Sequence, residues 1–164
     1  MKTLLLLRHA KSSWSQEDQR DHDRSLNARG KRDAPHIGQL LKTQGLIPDL
    51  ILSSTAKRAL KTTQRVVAGG ELAAPVEELQ EFYLAPPATY IEVLQQQNGD
   101  VECILVVGHN PGIEELSHQL TEQAKRFPTG ALAQVELDID QWGELSLDSP
   151  GSLRNIWYPR QLKS

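Results

Sequence analysis

The segment LLLLRHAKSSW, residues 4–14, runs four leucines directly into an arginine, a histidine and a lysine. An unbroken apolar run suits a strand covered on both faces of a parallel sheet, whereas a strand with one wet face alternates in polarity. Such a strand meets water only at its end. Arg8 and His9 are therefore read as side chains delivered to a sheet edge at a fixed position.

Residues 3–7 (TLLLL), 49–53 (DLILS) and 102–107 (ECILVV) share this character and are read as buried strands. Helical patterns lie between them. Asn27 is an N-cap for a helix in which Ala34, Ile37, Leu40 and Leu41 share a face and which ends near Gly45 and Pro48, with Pro35 expected to kink or displace it. Ser54 or Thr55 caps a second helix through about Ala68, closed by Gly69-Gly70. Residues 88–97 follow the breaker Pro86-Pro87 as a third, and residues 112–122 follow Asn110-Pro111-Gly112 as a fourth. At the end, 133–140 (AQVELDID) alternates, with 143–148 (GELSLD) as its hairpin partner across a turn at 141–143. Strands alternating with helices give an α/β fold, a three-layer α/β/α sandwich with a mainly parallel central sheet, in one domain over residues 1–164.

Composition narrows the function. A net charge of −3 argues against a general binder of nucleic acid or anionic membrane, so any attraction for anions must be local. The leucine run is too short for a secretory signal, and no stretch approaches the ~18 apolar residues of a membrane span. Cys103 is the one cysteine, which permits no intrachain disulfide or thiolate cluster, and the cytoplasm is the expected compartment. Within CILVV it reads as a buried, inert thiol.

In open α/β sheets ligands bind outside the carboxyl ends of the strands, where helix N-termini gather. Three strand ends carry chemistry: Arg8-His9, then Ser53-Ser54-Thr55 with Arg58 one turn into the next helix, then Gly108-His109-Asn110-Pro111-Gly112. Each has a structural explanation when taken singly. Together they suit phosphoryl transfer, because guanidiniums grip phosphate oxygens bidentately, a neutral imidazole attacks phosphorus, and preorganised donors stabilise the equatorial charge. Side chains supply the positive charge, so neither a metal nor another cofactor is expected.

LLLLRHAKSSW, SSTAKRALKTT and VVGHNP, in this order and spacing, resemble the histidine phosphatase superfamily, which includes phosphoglycerate mutases and many phosphatases. The likeness spans residue 3 to about residue 140. RHAKSSW, the late RFPTGALAQVEL and the lack of large insertions look most like the short bacterial protein phosphohistidine phosphatases of the SixA type. The resemblance implies a phosphoglycerate mutase-like fold, His9 as the phosphorylated nucleophile, and Arg8, Arg58 and His109 as the rest of the phosphate pocket. Ser12 stands where the family often has a phosphate-contacting hydroxyl. Ala10 replaces the glycine of the common Arg-His-Gly motif, and Lys61 stands where many relatives carry glutamine.

Hydrolysis of a phosphate monoester benefits from an acid that protonates the leaving alkoxide. Glu81 lies near the position of the mutase acid and Glu78 is a weaker candidate, though loop carboxylates are usually just solvated. Phosphohistidine needs less help, since its imidazole departs neutral once the other ring nitrogen is protonated. The expected activity is that of a metal-independent phosphohistidine phosphatase acting on a phosphohistidine-bearing protein as a monomer. A phosphatase for small phosphate esters and a non-catalytic phosphoprotein-binding module are the alternatives. The charged stretch 15–24 (SQEDQRDHDR) reads first as a solvated loop, with bounding the pocket mouth or docking a protein partner as the alternatives; the basic cluster Arg29, Lys31 and Arg32 reads as a solvated face, and Glu114 with His118 as a helix-surface pair. Trp142, Trp157 and Tyr158 are expected to pack the hairpin and tail against the sheet.

Overall fold

The computed structural model describes residues 1–14, 19–148 and 151–162. Six strands form one sheet in the order β3-β2-β4-β1-β5-β6. They are β1 (Lys2–Arg8), β2 (Leu50–Ser54), β3 (Val76–Leu79), β4 (Cys103–Gly108), β5 (Leu132–Leu137) and β6 (Gly151–Trp157). The pairs β1–β4, β2–β4 and β2–β3 are parallel, while β1–β5 and β5–β6 are antiparallel. Four helices cover the sheet: α1 (Ala28–Thr43), α2 (Lys57–Gly70), α3 (Pro87–Gln95) and α4 (Gly112–Thr121).

The leucine run is buried because successive side chains point to opposite faces. Leu5 and Leu7 join a core with Ile37, Leu41 and Val66 from α1 and α2. Leu4 and Leu6 join the other core with Tyr90, Leu94, Ile113 and Leu116 from α3 and α4. All four leucines are fully buried. Burial of each contributes about 1.5–3 kcal/mol, and two covering layers are the reason a four-leucine run can be a strand at all.

Several boundaries differ from the sequence reading. The partner of β5 is β6, not 143–148; Trp142–Glu144 form a 3-10 turn instead. Period-two polarity misleads there because Leu145 is buried by loop packing, while the true edge strand GSLRNIW is largely polar. The edge strand β3 was missed, since Val76, Glu77 and Glu78 are exposed and carry no apolar signal. Asn27 caps α1 by accepting from the Gly30 N–H at 2.9 Å, and α1 continues through Pro35. Neither Ser54 nor Thr55 caps α2; Ala56 holds that position, and Ser54 Oγ accepts from the Ala56 N–H at 3.2 Å. Gly69 and Gly70 end α2 from within, and Glu71 at φ 53° closes it. There Gly70 lies against the backbone of Gly38 in α1. Trp142 is fully buried and donates to the Val101 carbonyl at 2.7 Å, as its packing role requires. No helix among the described residues is long and apolar enough to cross a membrane.

Candidate active site

Register brings the first and third motifs together. Arg8 is the partner of Gly108 across the β1–β4 ladder, and the His9 N–H donates to the Gly108 carbonyl at 3.1 Å. His9 and His109 therefore leave adjacent strands at one height, with ring centroids 5.2 Å apart. The second motif arrives through β2, whose Ser53 pairs with Val107. Arg58, in the first turn of α2, donates from Nε to His9 Nε2 at 3.3 Å.

His9 is 5% exposed and its protonation pattern follows from its partners. Nδ1 lies 2.7 Å from the Ala10 carbonyl, which can only accept, so Nδ1 carries the proton. Nε2 consequently presents its lone pair. Burial holds the His9 pKa well below 6.5, and His109, Arg58 and Arg8 lower it further against the Ala10 hydrogen bond. The ring is neutral, with its free nitrogen facing a guanidinium.

His109 is also buried, and its Nε2 lies 2.8 Å from Ser54 Oγ. Desolvation, followed by the charge of Arg58, lowers its pKa to about 3, although Asp21 opposes the shift. Its Nδ1 is buried without a protein partner. Arg8 donates from Nη1 to the Phe127 carbonyl at 3.0 Å, and its buried Nε has no protein partner.

These side chains line a cavity of about 350 Å³, together with Lys11, Ser12, Asp21, Arg24 and Asn110. Ser12 is buried and its Oγ accepts from Arg24 Nη1 at 2.8 Å, which leaves its own proton available. Glu81 is not brought to this cavity. It lies exposed on the 3-10 turn Gln80–Phe82.

Asp21 and Arg24 are the residues the sequence reading missed. Residues 15–18 of the charged stretch lie outside the described residues, but Asp21, although 41% exposed, is tied into the site by several donors. Its carboxylate accepts from Arg58 Nη2 at 2.9 Å, from Arg24 Nε at 3.0 Å and from the Tyr83 hydroxyl, and its carbonyl accepts from Arg58 Nη1 at 2.6 Å. Desolvation raises its pKa, but the hydrogen bonds from Tyr83 and Arg58 outweigh this and hold it at about 2. Only the tandem of opposite charges in RDHDR hinted at such pairing. Glu114 does not pair with His118 either; it accepts from the Phe127 N–H at 2.7 Å. Lys61 is exposed and 3.5 Å from Gln64, away from the cavity. No group of three or more His, Cys, Asp or Glu among the described residues is arranged to hold a metal ion.

Chemically, the arrangement joins a neutral imidazole with a defined free nitrogen, three guanidiniums and a second neutral imidazole around one small cavity. That combination can hold a tetrahedral oxyanion against a nucleophile.

Known proteins resemble this chain in sequence and in fold. Residues 4–86 match the family model of the histidine phosphatase superfamily, branch 1. An uncharacterised chloroplastic protein of Arabidopsis thaliana is 35% identical over 158 residues, covering 90% of this chain and 72% of its own. The chain designated SixA from Agrobacterium tumefaciens superposes with a TM-score of 0.83 at 30% identity, over 96% of this chain and 98% of that one. The protein histidine phosphatase SixA in complex with tungstate superposes with a TM-score of 0.84 at 25% identity, over 98% of this chain and 99% of its own.

Proposed function

The chain belongs to the histidine phosphatase superfamily, and from that premise we propose that it is a phosphohistidine phosphatase working through a phosphorylated His9. In the first step the lone pair of His9 Nε2 attacks phosphorus and the phosphorus–nitrogen bond of the substrate breaks. The departing nitrogen keeps the electron pair, and the imidazole leaves neutral because its other nitrogen carries a proton. Water then attacks the phosphoryl group on His9, releasing inorganic phosphate and restoring the neutral ring.

The residues divide the work by position. The Nδ1–H bond to the Ala10 carbonyl fixes the tautomer and supports the positive charge that develops on His9 as it attacks. Arg8 and Arg58 are assigned the equatorial phosphoryl oxygens, and His109, which lines the same cavity, is assigned a further contact with the group. Ser12 is assigned a phosphate contact through its free proton. Asp21 is assigned no contact with phosphate; it orients Arg58 through two hydrogen bonds. Tungstate, a tetrahedral oxyanion like phosphate, occupies the SixA structure with the TM-score of 0.84, which supports an oxyanion site here.

One observation favours phosphohistidine over alkyl phosphates. Among the described residues the carboxylate lining the cavity is Asp21, whose pKa of about 2 leaves it ionised and unable to protonate an alkoxide near neutrality. Glu81, the acid expected from the resemblance, lies exposed outside the cavity lining. A leaving group that departs neutral suits such a site.

A hydrolysis panel tests this directly, with chemically phosphorylated histidine peptides beside small phosphate esters. The expected result is a higher kcat/KM on the peptides, with Glu81→Gln leaving that value within about twofold. Preference for an alkyl ester that collapses in Glu81→Gln would instead establish a small-molecule phosphatase with Glu81 as its acid. No turnover on any substrate would favour a binding module. EDTA is expected to leave the rate unchanged, because guanidiniums supply the positive charge.

A further inference from the structure

Beside the reaction cavity lies a larger cleft of about 750 Å³. Arg8 and Asn110 line both, so the two share a wall at these side chains. Three more arginines line the cleft, Arg29, Arg126 and Arg160, against a single carboxylate among the described residues. That carboxylate, Glu114, is already engaged by the Phe127 N–H. Arg29 and Arg160 extend the basic track into an adjoining hollow with Arg32 and His36, where Asp33 meets Arg29 at 3.6 Å. In a chain of net charge −3 this track is a local concentration and not a bulk property.

The reaction cavity also carries two exposed apolar side chains. Trp14 is 72% exposed and Leu84 is 54% exposed, and both line the cavity. The Arg24 guanidinium stacks over the Trp14 ring at 3.5 Å, which holds the indole at the surface. Exposed tryptophan beside arginine is the composition of a protein interface core.

We propose that this surface docks a protein with an acidic segment next to its phosphorylated side chain. The arginine cleft takes the carboxylates, Trp14 and Leu84 meet apolar side chains at the reaction cavity, and the phosphoryl group sits at His9. The inference rests on the phosphohistidine reading for the centre of the surface and adds the charge of the partner's flank. Guanidiniums match carboxylates in bidentate geometry. A small phosphate ester would fill the 350 Å³ cavity and leave Arg29, Arg126 and Arg160 unused.

The test separates docking from chemistry. Arg126 and Arg160 are exposed and lie outside the reaction cavity, so Arg126→Glu/Arg160→Glu spares the catalytic groups. Fluorescence anisotropy with a labelled, unphosphorylated glutamate-rich peptide is expected to show binding to the wild type. The double variant and raised salt should each weaken it about tenfold or more, with p-nitrophenyl phosphate turnover unchanged. A glutamine-rich peptide bound as well as the glutamate-rich one, or indifference to the charge reversal, overturns the proposal. So does adenosine 3′,5′-bisphosphate if it competes far better than the peptide and loses affinity in the variant, since the cleft would then serve a small molecule. Charge-dependent peptide binding without hydrolysis of any phosphohistidine peptide would support the docking surface and overturn the phosphohistidine reading instead.

Discussion

Arg58 is held on three sides, by His9 at Nε and by the carbonyl and carboxylate of Asp21 at its two terminal nitrogens. A guanidinium so fixed loses little freedom when phosphate arrives, which is the advantage of preorganised charge. Asp21→Asn keeps the shape but removes the charge from the hydrogen bond. A charge-assisted bond of this kind is worth about 1.5–3 kcal/mol, so kcat is expected to fall about 10- to 100-fold while KM changes little. An unchanged kcat would show that Arg58 needs no such support. The contrast in legibility at this scale is physical. Arg8, His9, Arg58 and His109 could be read because each stands where a buried strand or a helix start must surface. Asp21 sits among residues of its own kind, with Asp18 and Asp23 nearby, and only the fold turns it toward Arg58.

At the scale of elements, the site depends on how tightly α1 and α2 pack beneath it. A Cβ built on Gly38 would lie 2.1 Å from the Val66 carbonyl oxygen and 2.6 Å from the Gly70 nitrogen, both backbone atoms of α2. Gly38→Ala therefore pushes the two helices apart, with an expected cost of about 1–3 kcal/mol or more, measurable as a lower urea midpoint. Phosphatase activity should fall with it, because α2 carries Arg58. A midpoint equal to wild type would contradict the close approach. Sequence showed these helices but not their contact, since a glycine on a helix face gives no hint of what it faces. The strands behave likewise. Those covered on both sides announce themselves by apolar runs, whereas β3 and β6 lie at sheet edges with polar exteriors and are recognised only by their pairing.

For the molecule as a whole, two buried neutral histidines couple stability to pH. His9 and His109 have folded pKa values depressed by burial, His109 to about 3, against about 6.5 in an unfolded chain. The unfolded state therefore binds more protons as pH falls below 6.5, and stability present above that pH is lost toward the folded values. Each histidine contributes a slope of up to about 1.4 kcal/mol per pH unit across its window. Asp21 acts with the same sign lower down, between 3.8 and about 2. Urea midpoints are expected to decline from pH 7 to pH 4, and the slope should flatten in His9→Ala; a flat wild-type profile would contradict buried neutral rings. The central claim is that this strand end forms a covalent phosphoenzyme. The most direct measurement is rapid quench at alkaline pH during turnover of a phosphohistidine peptide, followed by mapping of acid-labile phosphate along the chain. The account predicts phosphate on His9, and a folded His9→Ala variant with neither label nor turnover. Phosphate on another residue, or full activity in that variant, would contradict it.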